Sequence, residues 1–91
     1  MLEEKKKVAI IGLGVIGGSL GMALCTKGNY EVIGIDRDSH AVQLAQEIDA
    51  VSMGTTDYLT GVKQAEIIVL AIPVGDLVAV AREIAHYISP D

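Results

Sequence analysis

Gly12, Gly14, Gly17 and Asp36 are the residues whose types and spacing point to chemistry. In Gly12-Leu-Gly14-Val-Ile-Gly17, the first glycine permits a tight turn and the second leaves bare backbone for a pyrophosphate. The third lets a helix approach a sheet closely. A helix that begins at such a turn directs its unpaired N–H groups and the positive end of its dipole at the phosphates. Asp36 follows Gly17 by 19 residues, where a carboxylate can accept both hydroxyls of the adenosine ribose. The chemistry is the holding of a dinucleotide. The plain alternative is a glycine-rich turn in a βαβ unit that binds nothing.

The elements needed to place these residues follow in order. Val8 to Ile11 is a continuous apolar run, as expected of a strand covered on both faces. A helix is expected from about Val15 to Lys27, with Ile16, Leu20, Ala23 and Leu24 as its buried stripe and Gly28-Asn29 as its close. Glu31 to Ile35 reads as the second strand, with Gly34 near its cofactor edge. Ser39 is the expected cap of a second helix reaching about Glu47, with Ala41, Leu44, Ala45 and Ile48 inward. A short third strand is expected over Ala50 to Met53, a turn over Gly54-Thr55-Thr56-Asp57, and a short helix over Asp57 to Gln64, weakened by Gly61. Glu66 to Ile72 is the strongest strand signal and Pro73 ends it. Asp76 is the expected cap of a last helix, Leu77 to Ile88. Its stripe is Leu77, Val80, Ala81, Ile84, Ala85 and Ile88, with Arg82, Glu83 and His86 opposite. Ser89-Pro90-Asp91 reads as a stop.

The alternation of strand and helix predicts an α/β fold, a Rossmann-type parallel sheet of four strands in the order 3-2-1-4 with flanking helices. One domain is expected for 91 residues. A net charge of −5, no phenylalanine or tryptophan, and no basic block beyond Lys5-Lys6-Lys7 argue against nucleic acid as a partner. The apolar run after those lysines contains Gly12, Gly14, Gly17, Gly18 and Gly21, which suit a strand–turn–helix and not a membrane span or signal peptide. A cytoplasmic protein is expected. Cys25 is the single cysteine, so no internal disulfide or cysteine metal cluster can form.

The sequence ends where a fifth strand would begin, so the reading is of a dinucleotide domain truncated before strand 5, with no helical C-terminal domain following. The fourth strand would then be a bare apolar edge, and a homo-oligomer or an edge-strand dimer through Ile67 to Ile72 is expected.

VAIIGLGVIGGSLGMAL, EVIGIDRD, GTTD and IIVLAIPV together resemble the N-terminal NAD-binding domain of the prephenate and arogenate dehydrogenases. The resemblance covers nearly the whole chain, and Gly18-Ser19-Leu20-Gly21 and Pro73 make it narrower than the glycine fingerprint alone. It implies a parent oxidoreductase that carries out NAD-dependent oxidative decarboxylation of prephenate in tyrosine biosynthesis. Small-molecule substrate is then bound only in the full-length parent, whose catalytic histidine and serine lie beyond this sequence. His40 and His86 match no catalytic position, so the fragment has no catalytic residues of its own and is expected to be inactive. The resemblance places Gly12, Gly14 and Gly17 in the turn, the amides of Val15 and Ile16 on pyrophosphate, and Asp36 on the ribose. Ala71, Ile72 and Pro73 border the pocket, and Ser19 adds a hydroxyl near the phosphates or simply packs in the first helical turn. NAD is expected rather than NADP, because Asp36 would repel a 2′-phosphate. Arg37 is the opposing residue, since its charge could meet that phosphate or stand as a solvated loop charge.

Two other readings keep the fold. One is the cofactor domain of another dehydrogenase or reductase, of the pyrroline-5-carboxylate reductase, hydroxyisobutyrate or 6-phosphogluconate dehydrogenase type. The other is a non-catalytic nucleotide-binding module.

Overall fold

Strands whose residues are apolar on both sides need a cover on both faces, and here each face has one. The computed structural model describes residues 5–88. Its elements alternate as β1 (Lys6–Ile11), α1 (Val15–Lys27), β2 (Tyr30–Ile35), α2 (Ser39–Glu47), β3 (Met53–Thr55), α3 (Tyr58–Val62), β4 (Ile67–Leu70) and α4 (Val74–Ala85). The strands are parallel and lie in the expected order β3-β2-β1-β4, with Ile11 level with Ile35 on one side and Leu70 on the other. Val8, Ile10 and Val32 pack with Val42 and Ala45 on the α1 and α2 face. Ala9, Ile11, Ile33 and Ile35 pack with Tyr58, Val62, Val80 and Ile84 on the α3 and α4 face. Ile10, Ile33 and Ile35 are fully buried, each contributing roughly 1.5–3 kcal/mol by leaving water.

The helices meet the sheet differently from the expected stripes. In α1 the buried residues are Gly17 and Gly21, with Leu20 and Leu24 partly buried beside them. Ile16 is 77% exposed, and Ala23 is exposed. The helix lies so close to the sheet that a Cβ on Gly21 would come within 2.3 Å of the Ala50 carbonyl oxygen, so the contact face is the small one. In α2, Val42 and Ala45 are buried while Leu44 and Ile48 are exposed. Asp38, not Ser39, caps it, its side chain accepting from the His40 N–H at 2.9 Å.

The third strand is shifted to Met53–Thr55. Ser52, which interrupts the run, continues the pairing itself: its N–H donates to the Val32 oxygen and its hydroxyl accepts from the Val32 N–H. Asp57 caps α3, and Gly61 lets that helix sit directly on Ile35. The last helix begins at Val74 with Pro73 as N-cap, which puts Asp76 in its first turn rather than at its cap. Val80 and Ile84 are its buried residues, whereas Ala81, Ala85 and Ile88 are exposed. The stop expected at Ser89-Pro90-Asp91 lies outside the described residues. Among the described residues no helix is long and apolar enough to cross a membrane.

Candidate functional site

The carboxyl ends of β1, β2 and β4 open into one cleft of about 540 Å³, a volume suited to a small-molecule ligand. Its floor is main chain. The Gly12 N–H donates to the Ile35 oxygen at 2.8 Å, the Ala71 N–H to the Ile11 oxygen at 2.8 Å, and the Asp36 N–H to the Thr55 oxygen at 3.2 Å. These bonds tie each strand end to its neighbour one residue beyond the strand.

The turn above β1 demands its glycines. Gly12 has φ of +100°, a region that side chains rarely enter, and a Cβ there would lie 2.3 Å from the Ala71 oxygen. Gly17 presses on the same turn from above, where a Cβ would fall 1.8 Å from the Gly12 oxygen. Gly14 is different: it lines the cleft, and nothing lies within 4 Å of the Cβ position. That open space is where a phosphate can approach the backbone. Gly14 is also the N-cap of α1, without a side-chain cap and with no acidic residue in the first turn. The N–H groups of Val15, Ile16 and Gly17 are therefore left for an anion. Leu13 points the other way, buried on the α1 face, in room left by the bare Gly34 of β2.

Asp36 joins the turn to β2. One carboxylate oxygen accepts from the Leu13 N–H and the other from the Asp38 N–H, each at 2.9 Å. A carboxylate has about four acceptor positions, so two remain, one on each oxygen. Beside it, the Arg37 guanidinium lies over the Tyr58 ring, 4.8 Å from its centre, and pairs with the Glu83 carboxylate of α4. Tyr58 first, and then Glu83, raise the Arg37 guanidinium above its ordinary value through charge interaction. Arg37 is thus a paired group, although its side chain stays 66% exposed.

Gly12, Gly14, Asp36, Arg37, Ala71, Ile72 and Pro73 all line the cleft. Val15 and Ile16 do not, their side chains being 87% and 77% exposed, although their amides open beside Gly14. Gly17 is buried against the turn as a spacer. Ser19 is exposed and lies off the cleft, as do His40 and His86. Sequence reasoning missed Tyr58, Asp76, Ala79 and Glu83 as lining residues. The spacing of Asp76, Val80 and Glu83 does put them on one face of a helix, which is the signal that could have found them. Among the described residues no cluster of His, Cys, Asp and Glu could hold a metal ion.

The family described as "NADP oxidoreductase coenzyme F420-dependent" matches residues 7–91. Prephenate dehydrogenase of Bacillus subtilis (strain 168) is 30% identical over 89 residues, covering 94% of this chain and 24% of that protein. The structure of Synechocystis arogenate dehydrogenase has a TM-score of 0.87 at 28% identity, over 92% of this chain and 30% of that one. Prephenate dehydrogenase from A. aeolicus, in complex with hydroxyphenyl propionate and NAD+, shares the fold at a TM-score of 0.81 and 23% identity, over 96% and 31% of the two chains. The chain spans about a quarter of the length of the curated relatives it matches. Matched from Lys7 to Asp91, it belongs to the NADP oxidoreductase coenzyme F420-dependent family, and the proteins it is similar to include prephenate and arogenate dehydrogenases.

Proposed function

We propose that this chain is the NAD-binding N-terminal portion of a longer dehydrogenase acting on prephenate or arogenate, with a helical C-terminal domain in the parent. One observation carries the reading. The Asp36 carboxylate is bonded to the Leu13 amide at 2.9 Å, so that turn and acid form a single site. Pyrophosphate lies over Gly14 against the amides of Val15 and Ile16, held by the uncompensated helix end. The ribose hydroxyls take the two acceptor positions left on Asp36. Ala71, Ile72 and Pro73 border the path towards the nicotinamide. When bound, NAD supplies a hydride acceptor for oxidation of the ring carbinol, whose decarboxylation leaves an aromatic ring.

The residues of this chain bind and orient, and move no proton in that step. His40 and His86 stand off the cleft, so the histidine that takes the hydroxyl proton belongs to the rest of the parent, and the chain alone is inactive. Asp36 beside a 2′-phosphate would set two anions together, which favours NAD. For the isolated chain, a homodimer through β4 accompanies this reading, supported by Ile67 at 44% exposure and by the place of β4 at an edge of the four-stranded sheet. Cytoplasmic residence is part of the same reading.

Titration calorimetry with NAD and NADP tests the assignment. NAD should bind more tightly, and Asp36→Ala should weaken NAD more than NADP. A folded chain that binds neither dinucleotide refutes the reading. For the parent, reduction of NAD in the presence of prephenate, compared with arogenate, identifies the substrate. Light scattering that shows a monomer at high concentration removes the edge dimer.

A further inference from the structure

Asp36, Arg37, Tyr58, Asp76 and Glu83 meet along the α4 side of the cleft, and their charges do not balance. Three carboxylates face one guanidinium. That guanidinium is engaged twice, with a terminal nitrogen on Glu83 and its central carbon over the Tyr58 ring. An arginine reads a phosphate with a free fork of N–H donors, and it stacks on a ring with its plane. Here one terminal nitrogen is drawn to Glu83, and the guanidinium carbon stands over the ring. Glu83 reaches Arg37 from a helix 46 residues away in sequence, so the pair is built by the fold and not by the loop that carries Arg37.

We infer that Glu83 selects a dinucleotide with a free 2′-hydroxyl over one with a 2′-phosphate, by holding Arg37 flat on Tyr58 as a stacking platform for adenine. The inference deepens the proposed function and rests on the dinucleotide reading of the cleft. With the ribose on Asp36, a 2′-phosphate would arrive beside Asp36, and the one cation among the described lining residues is drawn to Glu83. The charge of Asp36 and the pairing of Arg37 with Glu83 thus act in the same direction. Glu83 acts through Arg37 and is a specificity residue, not a catalytic one.

The test is calorimetric titration of the 91-residue chain with NAD and with NADP, for wild type, Glu83→Gln, and Glu83→Gln combined with Arg37→Ala. Circular dichroism checks that each variant folds. Glutamine keeps the shape of the side chain and removes its charge. Wild type should prefer NAD. Glu83→Gln should raise the ratio of NADP to NAD affinity at least about tenfold, the scale of one charge-assisted contact. That gain should shrink at high salt and vanish when Arg37 is also replaced. A ratio that Glu83→Gln leaves within about twofold, or a gain that survives loss of Arg37, overturns the inference and leaves NAD binding standing. A wild-type preference for NADP also overturns it. A folded wild type that binds neither dinucleotide overturns the proposed function and this inference with it.

Discussion

Replacing Gly17 with alanine asks how rigidly the turn and the first helix are fitted together. The added Cβ would lie 1.8 Å from the Gly12 oxygen and 3.3 Å from the Ala71 Cβ. Ordinary contact begins at 3.4 Å, so one side must retreat by roughly 1.6 Å. The turn cannot do so, because Gly12 is bonded to the Ile35 oxygen at 2.8 Å and already crowds Ala71. The helix must lift instead, away from contacts made through Gly21, Leu20 and Leu24. Overpacking costs about 1–3 kcal/mol, and an obstacle made of main chain puts this case near ~3. Alanine's helix preference returns about 1 kcal/mol. The net loss of about 2 kcal/mol lowers Tm by roughly 8–16 °C in a domain of this size. Gly18→Ala is the control, since the nearest atom to its Cβ is the Leu13 oxygen at 3.8 Å. It should gain up to about 1 kcal/mol and raise Tm by a few degrees, about 4–8 °C at most. Thermal unfolding followed by circular dichroism reads both. If Gly17→Ala melts at or above the wild-type temperature, or if both substitutions shift Tm in the same direction, the close-contact reasoning is wrong.

Gly14→Ala should keep Tm within about 4 °C of wild type, because its Cβ meets open space. Calorimetry should nevertheless show NAD affinity reduced at least about tenfold, the methyl group standing where the pyrophosphate approaches. Ile10→Ala should cost about 2–5 kcal/mol, read as a lower urea midpoint at unchanged slope. Leu44→Ala, on the exposed side of α2, should stay within about 0.5 kcal/mol of wild type. The Asp57 carboxyl is held below its ordinary value by the Thr60 hydroxyl and then the Thr60 N–H. A lowered folded value means that its stabilisation is present above the unfolded value and is lost as pH falls through the folded one. Asp57→Asn, which can still cap, should therefore flatten the acid limb of a plot of Tm against pH, and an unchanged limb would dismiss the cap as its source.

What could be read in the amino acids was whatever depended on runs and order. Val8 to Ile11 and Val32 to Ile35 are apolar without interruption, so their strands, the parallel order and the place of Asp36 at a strand end were all legible. The face that α1 buries was not. Hydrophobic periodicity weighs side chains, and Gly17 and Gly21 bury themselves by having none, which sends Ile16 outward. Ser52 is a polar residue within the run read as the third strand, and its hydroxyl completes the pairing with Val32. Pro73 was read as an end and is equally the beginning of α4. Helical spacing could place Glu83 beside Asp76 and Val80, but no local pattern records its contact with Arg37 across 46 positions, and Tyr58 likewise gains its meaning only from Arg37.

The main-chain floor of the cleft has a consequence for how such a chain can diverge. The bonds from Gly12 to Ile35, Ala71 to Ile11 and Asp36 to Thr55 use atoms that nearly every residue type possesses. Substitution can therefore change the walls, and with them the molecule that is welcomed, while the foundation passes unaltered from ancestor to descendant. Only positions where a Cβ would intrude, Gly12 above all, are closed to drift. Selection for a new ligand is then free to act on Arg37 and Glu83 without first reinventing the place where it binds.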